Sequence, residues 1–160
     1  MINNEDIKHL ERCVELAEEA LEAGDAPFGS ILVSGDGKVL KEDRNRDVSV
    51  DMTQHPEFNL ARWAAQNMTE EERKRATVYT SGEHCPMCSA AHGLAGLDRI
   101  VYASSSEQLG EWLQEMNISR KGSIRGFPIE EVVPGATIEG PVSKVAEKVR
   151  KLQYRYHGRD

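Results

Sequence analysis

Two segments of this chain share an arrangement that restricts what it can become. His55-Pro56-Glu57 and Cys85-Pro86-Met87-Cys88 each set a residue able to bind a metal directly before a proline. Proline suits the first position of a helix, where its missing N–H has no helical partner, and it keeps the preceding residue extended. Both segments therefore read as helix N-termini reached from a loop or strand. Cys88, three residues after Cys85, falls on the same side of the first turn. Unsatisfied N–H groups at a helix start stabilise thiolate, the form of cysteine that binds metal. One imidazole and two thiolates make three ligands of a tetrahedral Zn²⁺ site, and a fourth position left to water separates a catalytic site from a closed structural one. Glu57, two residues from His55, cannot easily reach the same ion from the same turn. It can lean over the open position, where a carboxylate takes a proton from zinc-bound water whose pKa such sites lower to roughly 7.

The remaining pattern surrounds these two helix starts with an alternating fold. Asn4-Glu5-Asp6 reads as a helix start, and Ile7, Leu10, Val14, Ala17 and Leu21 recur at steps of three and four until Gly24. Phe28 to Ser34 and Lys38 to Arg44, joined by Gly35-Asp36-Gly37, predict a β-hairpin. A polar loop to Thr53 leads to a helix over Pro56 to Asn67, and Thr69 with Glu72 predicts a short capped helix to Arg75. Strands follow at Thr77 to Thr80 and Arg99 to Ala103, with a helix over Pro86 to Leu97 between them and another over Ser105 to Met116. Residues 117–140, rich in Gly and Pro, are open, except that Ala136 to Glu139 has strand character. Pro141 opens a last helix, to about residue 156, striped by Val142, Val145, Val149, Leu152 and Tyr156. A hairpin followed by alternating helices and strands predicts a three-layer α/β/α domain with a mixed central sheet. The 160 residues read as one domain able to bury a core without disulfide staples.

Composition narrows the function. No run approaches the roughly 18 to 20 apolar residues of a membrane span, and the acidic N-terminus, Met1 to Asp6, lacks the apolar stretch expected of a signal peptide. Three cysteines, two of them in one C-x-x-C, point to a reducing compartment, with the cytoplasm as the expected location. The net charge of −7 argues against a polyanionic partner, although the chain from Lys144 onward carries +4 against −11 for the rest.

On these residues the chain resembles the cytidine-deaminase-like zinc deaminases, whose signature is H-x-E…P-C-x-x-C. The likeness extends over roughly residues 5 to 105. Pro27-Phe28-Gly29, Asn45, Thr80-Ser81-Gly82-Glu83 and Asp98-Arg99-Ile100-Val101-Tyr102 look like the guanine deaminase and tRNA adenosine deaminase branch. The resemblance implies hydrolytic deamination of an amino-substituted nitrogen heterocycle, with Zn²⁺ on His55, Cys85 and Cys88. It makes Glu57 the general acid and base. It further implies that Asn45 hydrogen-bonds the substrate, that the Glu83 carbonyl receives the amino group and that Phe28 walls the pocket. Homodimers are common in this branch, and the C-terminal segment, about 141–156 here, can complete a partner's site.

Three positions depart from the family pattern. Pro56 stands where Ala or Val is usual and offers a substrate no N–H. His84 replaces the proline before the first cysteine, where it is a candidate substrate contact, a support for the ligands or a surface residue. His92 stands where an apolar residue is usual. These departures imply an unusual purine, pyrimidine, pterin or triazine as base or nucleoside, with tRNA adenosine as the alternative substrate. Two other readings stay open from the residues themselves. Cys85 and Cys88 could form a redox pair, or His84 or His92 could close a structural zinc site in a non-enzymatic binding module. Cys13 is expected buried, His9 and His157 solvated, and Trp63 and Trp112 in packing. Glu107, Gln108, Glu111 and Trp112 are unranked candidates for the pocket wall.

Overall fold

The computed structural model describes residues 1–120 and 122–160. Helix α1 spans Asn4–Glu22 and starts on a reciprocal cap, in which the Asn3 side chain accepts from the Asp6 N–H and the Asp6 carboxylate accepts from the Asn3 N–H, both at 2.9 Å. Strands β1 (Gly29–Val33) and β2 (Val39–Arg44) form the expected hairpin. Helix α2 covers Pro56–Asn67, the capped helix α3 covers Glu70–Arg75, and β3 covers Thr77–Gly82. Then come α4 (Pro86–Leu94), β4 (Arg99–Ser104), α5 (Ser106–Glu115), α6 (Ile129–Val132), β5 (Ile138–Glu139) and α7 (Ser143–Tyr156). No described helix is long and apolar enough to cross a membrane.

The sheet has the order β2-β1-β3-β4-β5. β1 runs antiparallel to both β2 and β3, whereas β3, β4 and β5 are mutually parallel, so the sheet is mixed as expected. Both faces are covered, and β1 and β3 are buried along their whole length. Alternation assigns the layers. Ile31, Val33, Tyr79, Val101 and Ala103 pack against Leu10, Cys13 and Leu16 of α1, Trp112 of α5 and Val145 and Val149 of α7. Leu32 and Val78 face the other way, onto Leu60, Ala61 and Ala64 of α2 and onto Leu97. α1 lies so close to β1 that a Cβ on Gly29 would stand 2.4 Å from the Cys13 carbonyl oxygen, which only glycine permits.

Among the differences from the sequence reading, three have a clear local reason. α4 stops at Leu94 instead of Leu97. Gly96 turns left-handed (φ +75°), its N–H bonds Gly93 O and the Leu97 N–H bonds His92 O, a Schellman cap that sends Leu97 into the core. α7 starts at Ser143, not Pro141, because Val142 is still extended and its N–H is bonded to Ala103 O beside β4. In 117–140, α6 forms behind Pro128 and buries Ile129 on Ile100 and Tyr102. His9 and His157 are half-buried, His9 against the Tyr79 ring, where solvation was expected.

Candidate metal and catalytic centre

α2 and α4 lie on the same face of the sheet, so their N-termini meet. His55 and Cys85 are the respective N-cap residues, both extended, each followed by proline in the first turn. Neither spends its side chain on capping its helix, which leaves both free to ligate. The His55 Nδ1 stands 3.5 Å from Cys85 Sγ and 3.5 Å from Cys88 Sγ, and the two sulfurs are 3.5 Å apart. A tetrahedral zinc ion requires N and S ligand atoms about 3.5 to 3.8 Å apart, given bonds near 2.3 Å to sulfur and 2.0–2.1 Å to nitrogen. The triangle meets that requirement, and these three side chains are a group able to hold a metal.

The electrostatics of the three side chains are coupled. A hydrogen bond from Cys88 lowers the Cys85 thiol to about 4, with His55 assisting against burial. The same pairing, together with burial, pushes Cys88 up, and the bond to Cys85 raises His55. Of the two thiols, Cys85 is the readier to ionise. A divalent ion favours loss of the second proton.

The loop that delivers His55 is pinned from below by a buried carboxylate. Asp25 accepts from the N–H groups of Val48 and Ser49 at 3.0 and 2.7 Å, and from the Ser49 hydroxyl at 2.7 Å. The Arg46 N–H bonds Gln54 O, which closes the loop one residue before the ligand.

Glu57 is buried in the first turn of α2. Ser30 Oγ and Thr80 Oγ1 each lie 3.1 Å from its Oε1, and those hydroxyls are 2.9 Å apart. Thr80 also lies 2.8 Å from the Gly82 carbonyl, which can only accept, so Thr80's one hydrogen belongs there. Ser30 is left to serve Glu57. It donates to the ionised carboxylate and accepts from the protonated acid, passing its own hydrogen to Thr80. Burial pushes the Glu57 carboxyl up, against the pull of His55. The pocket therefore accommodates the group in either protonation state, as a proton carrier requires.

The remaining candidates are distributed around this centre. Asn45 is buried at the end of β2; its Nδ2 donates to Ala26 O at 3.3 Å while Oδ1 has no partner among the described residues. Phe28 is half-buried and lies on Gly82, where a Cβ would come within 3.0 Å of its ring. Pro56 is buried, and Glu83 is half-buried with its carboxylate accepting from the Ser106 N–H. His84 is fully buried, not on the surface. It packs edge-on to His92 with ring centres 5.6 Å apart, and neither of its nitrogens has a partner among the described residues. His92 reaches Asp98 O at 2.9 Å, at the far end of α4. Neither histidine joins the group of three that can hold a metal. Trp112 is buried, Gln108 half-buried, and Glu107 and Glu111 are exposed. The sequence reading missed Ser30, and it quoted Thr80 only within a motif, without a role. The signal for Ser30 was a hydroxyl in the middle of an otherwise apolar buried strand, Gly-Ser-Ile-Leu-Val.

Comparison with known proteins agrees with this geometry. The family model described as MafB19-like deaminase matches residues 3–132. A probable cytosine deaminase from Schizosaccharomyces pombe is 31% identical over 108 residues, 68% of this chain and 65% of that protein. A tRNA-specific adenosine deaminase from Agrobacterium fabrum is 33% identical over 95 residues, 59% of this chain and 62% of that protein. The match thus spans just under two thirds of either curated relative. Among solved structures, the guanine deaminase from Nitrosomonas europaea superposes with a TM-score of 0.72 over 99% of this chain and 86% of that one. At 17% identity this is a likeness of fold.

Proposed function

The chain belongs to the MafB19-like deaminase family, and from that premise we propose that it is a zinc-dependent hydrolytic deaminase of a small aminated nitrogen heterocycle, as free base or nucleoside. The observation that carries the reading is the triangle of His55, Cys85 and Cys88 with the buried, hydroxyl-supported carboxylate of Glu57 beside it.

In this reading His55, Cys85 and Cys88 hold Zn²⁺. A zinc ion held there would lower the pKa of water and so supply a nucleophile at neutral pH. Glu57 would take one proton from the attacking water and deliver it to a ring nitrogen, then take the second from the hydroxyl left on the ring carbon and pass it to the departing ammonia. Water and the carbon–amino bond are consumed; a carbon–oxygen bond and ammonia are formed. Ser30 holds Oε1 in place throughout. Asn45 offers its unpaired Oδ1 to a substrate N–H, Phe28 covers the ring and the Glu83 carbonyl accepts from the amino group. His84, next to Cys85 and buried on His92, supports the ligand helix from behind. Residues 1–160 act as one catalytic unit, working as a homodimer.

The alternative, a tRNA adenosine deaminase, is favoured by relatives of that name and by the basic C-terminal helix. The structure weakens the second support. Lys148, Arg150 and Arg155 of α7 are paired with Glu11, Glu115 and Glu18 of the same chain, so much of the positive charge is already neutralised.

The test is ammonia release from a panel of aminated purines, pyrimidines, pterins and triazines, with tRNA alongside and zinc content measured on the same preparation. Turnover of a free heterocycle with one zinc per chain supports the reading. Stoichiometric zinc with turnover of tRNA alone selects the alternative, and zinc with no turnover at all leaves a binding module.

A further inference from the structure

α7 carries a polar residue where its apolar stripe should continue. Val145, Val149 and Leu152 are buried against the rest of the chain, and Gln153, one turn beyond Val149, is buried with them at 3% exposure. Its Nε2 has no hydrogen-bond partner among the described residues. A buried amide without a partner is costly, and a helix face that needs only packing would carry an apolar residue there.

Gln153 lines a small cavity together with Phe28, Gly82, Glu83, Ser104 and Trp112. Phe28 and Glu83 are the residues that cover the substrate in the proposed function, so the cavity borders that site, with α5 and α7 forming its far wall. It has room for about one water molecule, which admits one substituent of a heterocycle and excludes the ring itself. Pro56 has no N–H to offer a ligand at the start of α2, so an acceptor atom on the substrate must find its donor on another wall.

We propose that Gln153 is a specificity-determining residue whose side-chain N–H₂ receives an oxo group of the substrate in the cavity behind Phe28 and Glu83. The inference rests on the deaminase reading and narrows it to aminated heterocycles that also carry a ring carbonyl. It assigns the closing wall to this chain's own C-terminal helix, packed on its own α1 and β4.

The test compares substrates that differ only by exchange of oxo for amino: guanine with 2,6-diaminopurine, pterin with 2,4-diaminopteridine, and ammeline with melamine, each as kcat/KM. Wild type favours the oxo member. Gln153→Met keeps the shape and removes the donor, so the oxo-to-amino preference falls by about ten- to a hundredfold while the amino member is little changed. Gln153→Glu presents an acceptor and shifts the preference toward the amino member. Variants that slow both members of a pair equally, or leave the ratio where it was, give Gln153 a packing role and overturn the proposal. Wild type that deaminates no free heterocycle overturns the deaminase reading first and the inference with it.

Discussion

The Oγ of Ser30, in the middle of β1, lies 3.1 Å from Oε1 of Glu57 in the first turn of α2, with both side chains buried. Thr80 takes the neighbouring place on β3 but is committed to the Gly82 carbonyl. The Ser30 hydroxyl thus helps fix the rotamer of the proton carrier. Ser30→Ala leaves the fold intact, because alanine fits the same volume, but frees the carboxylate to turn. We expect kcat to fall by about ten- to a hundredfold with KM nearly unchanged, since the bond orients a group for the reaction and does not hold substrate. Equal losses in kcat and KM would instead show a distorted pocket.

Glu57→Gln separates chemistry from architecture. The amide is isosteric, can still meet Ser30 and removes only the ability to carry a proton. Zinc content and melting temperature should stay at the wild-type level while turnover falls by at least 10²-fold. A closed structural zinc site would show no functional change in the same experiment.

The metal triangle makes a thermodynamic prediction as well. Its three atoms come from two helix starts 30 residues apart in sequence, so an ion held there stabilises the folded state over the unfolded one. Chelation should lower the melting temperature, and added Zn²⁺ should restore it. Cys85→Ser and His55→Ala should abolish stoichiometric zinc and the chelator response together. Cys13→Ser should leave both unchanged, because that thiol is buried against the sheet, away from the triangle. A Cys13 variant that loses zinc would place the ion elsewhere.

Most of this was legible in the chain because it is local. Capping residues, prolines at helix starts and apolar periodicity act within one or two turns, and they gave α1 to α5 and β1 to β4 to within a few residues. The His55, Cys85 and Cys88 set was readable because His55 and Cys85 each precede a proline that starts a helix, and Cys88 follows Cys85 at the spacing of one turn. The roles of Ser30, Thr80 and Gln153 are not legible there, since each matters through a partner more than 20 residues away, and a lone hydroxyl or amide in an apolar stretch does not name that partner. His84 was left between surface and site. Its ring packs edge-on against His92 of α4, a contact that no local pattern encodes.

Stability in acid should depend on Asp6. Burial alone would raise this carboxyl, but hydrogen bonds from Arg99, Tyr79 and the Asn3 N–H outweigh it and hold it at about 2. Arg99 meets Asp6 with two nitrogens, at 3.0 and 3.1 Å, and the Tyr79 hydroxyl donates at 2.6 Å. The cluster ties the first turn of α1 to β3 and β4. The folded-state pKa lies below the unfolded value near 3.9, so the folded state favours the ionised form. The stabilisation is therefore complete above about pH 5, erodes as pH falls below about 4 and is gone below about pH 2; it amounts to about 2 kcal/mol. Asp6→Asn should lower the unfolding free energy at pH 7 by at least that amount. The gap between the two proteins in urea denaturation should narrow steadily from pH 5 to pH 2, and losses common to both, such as metal release, cancel in the difference. A gap constant across that range would mean that Asp6 acts through shape and hydrogen bonding, with its charge contributing nothing.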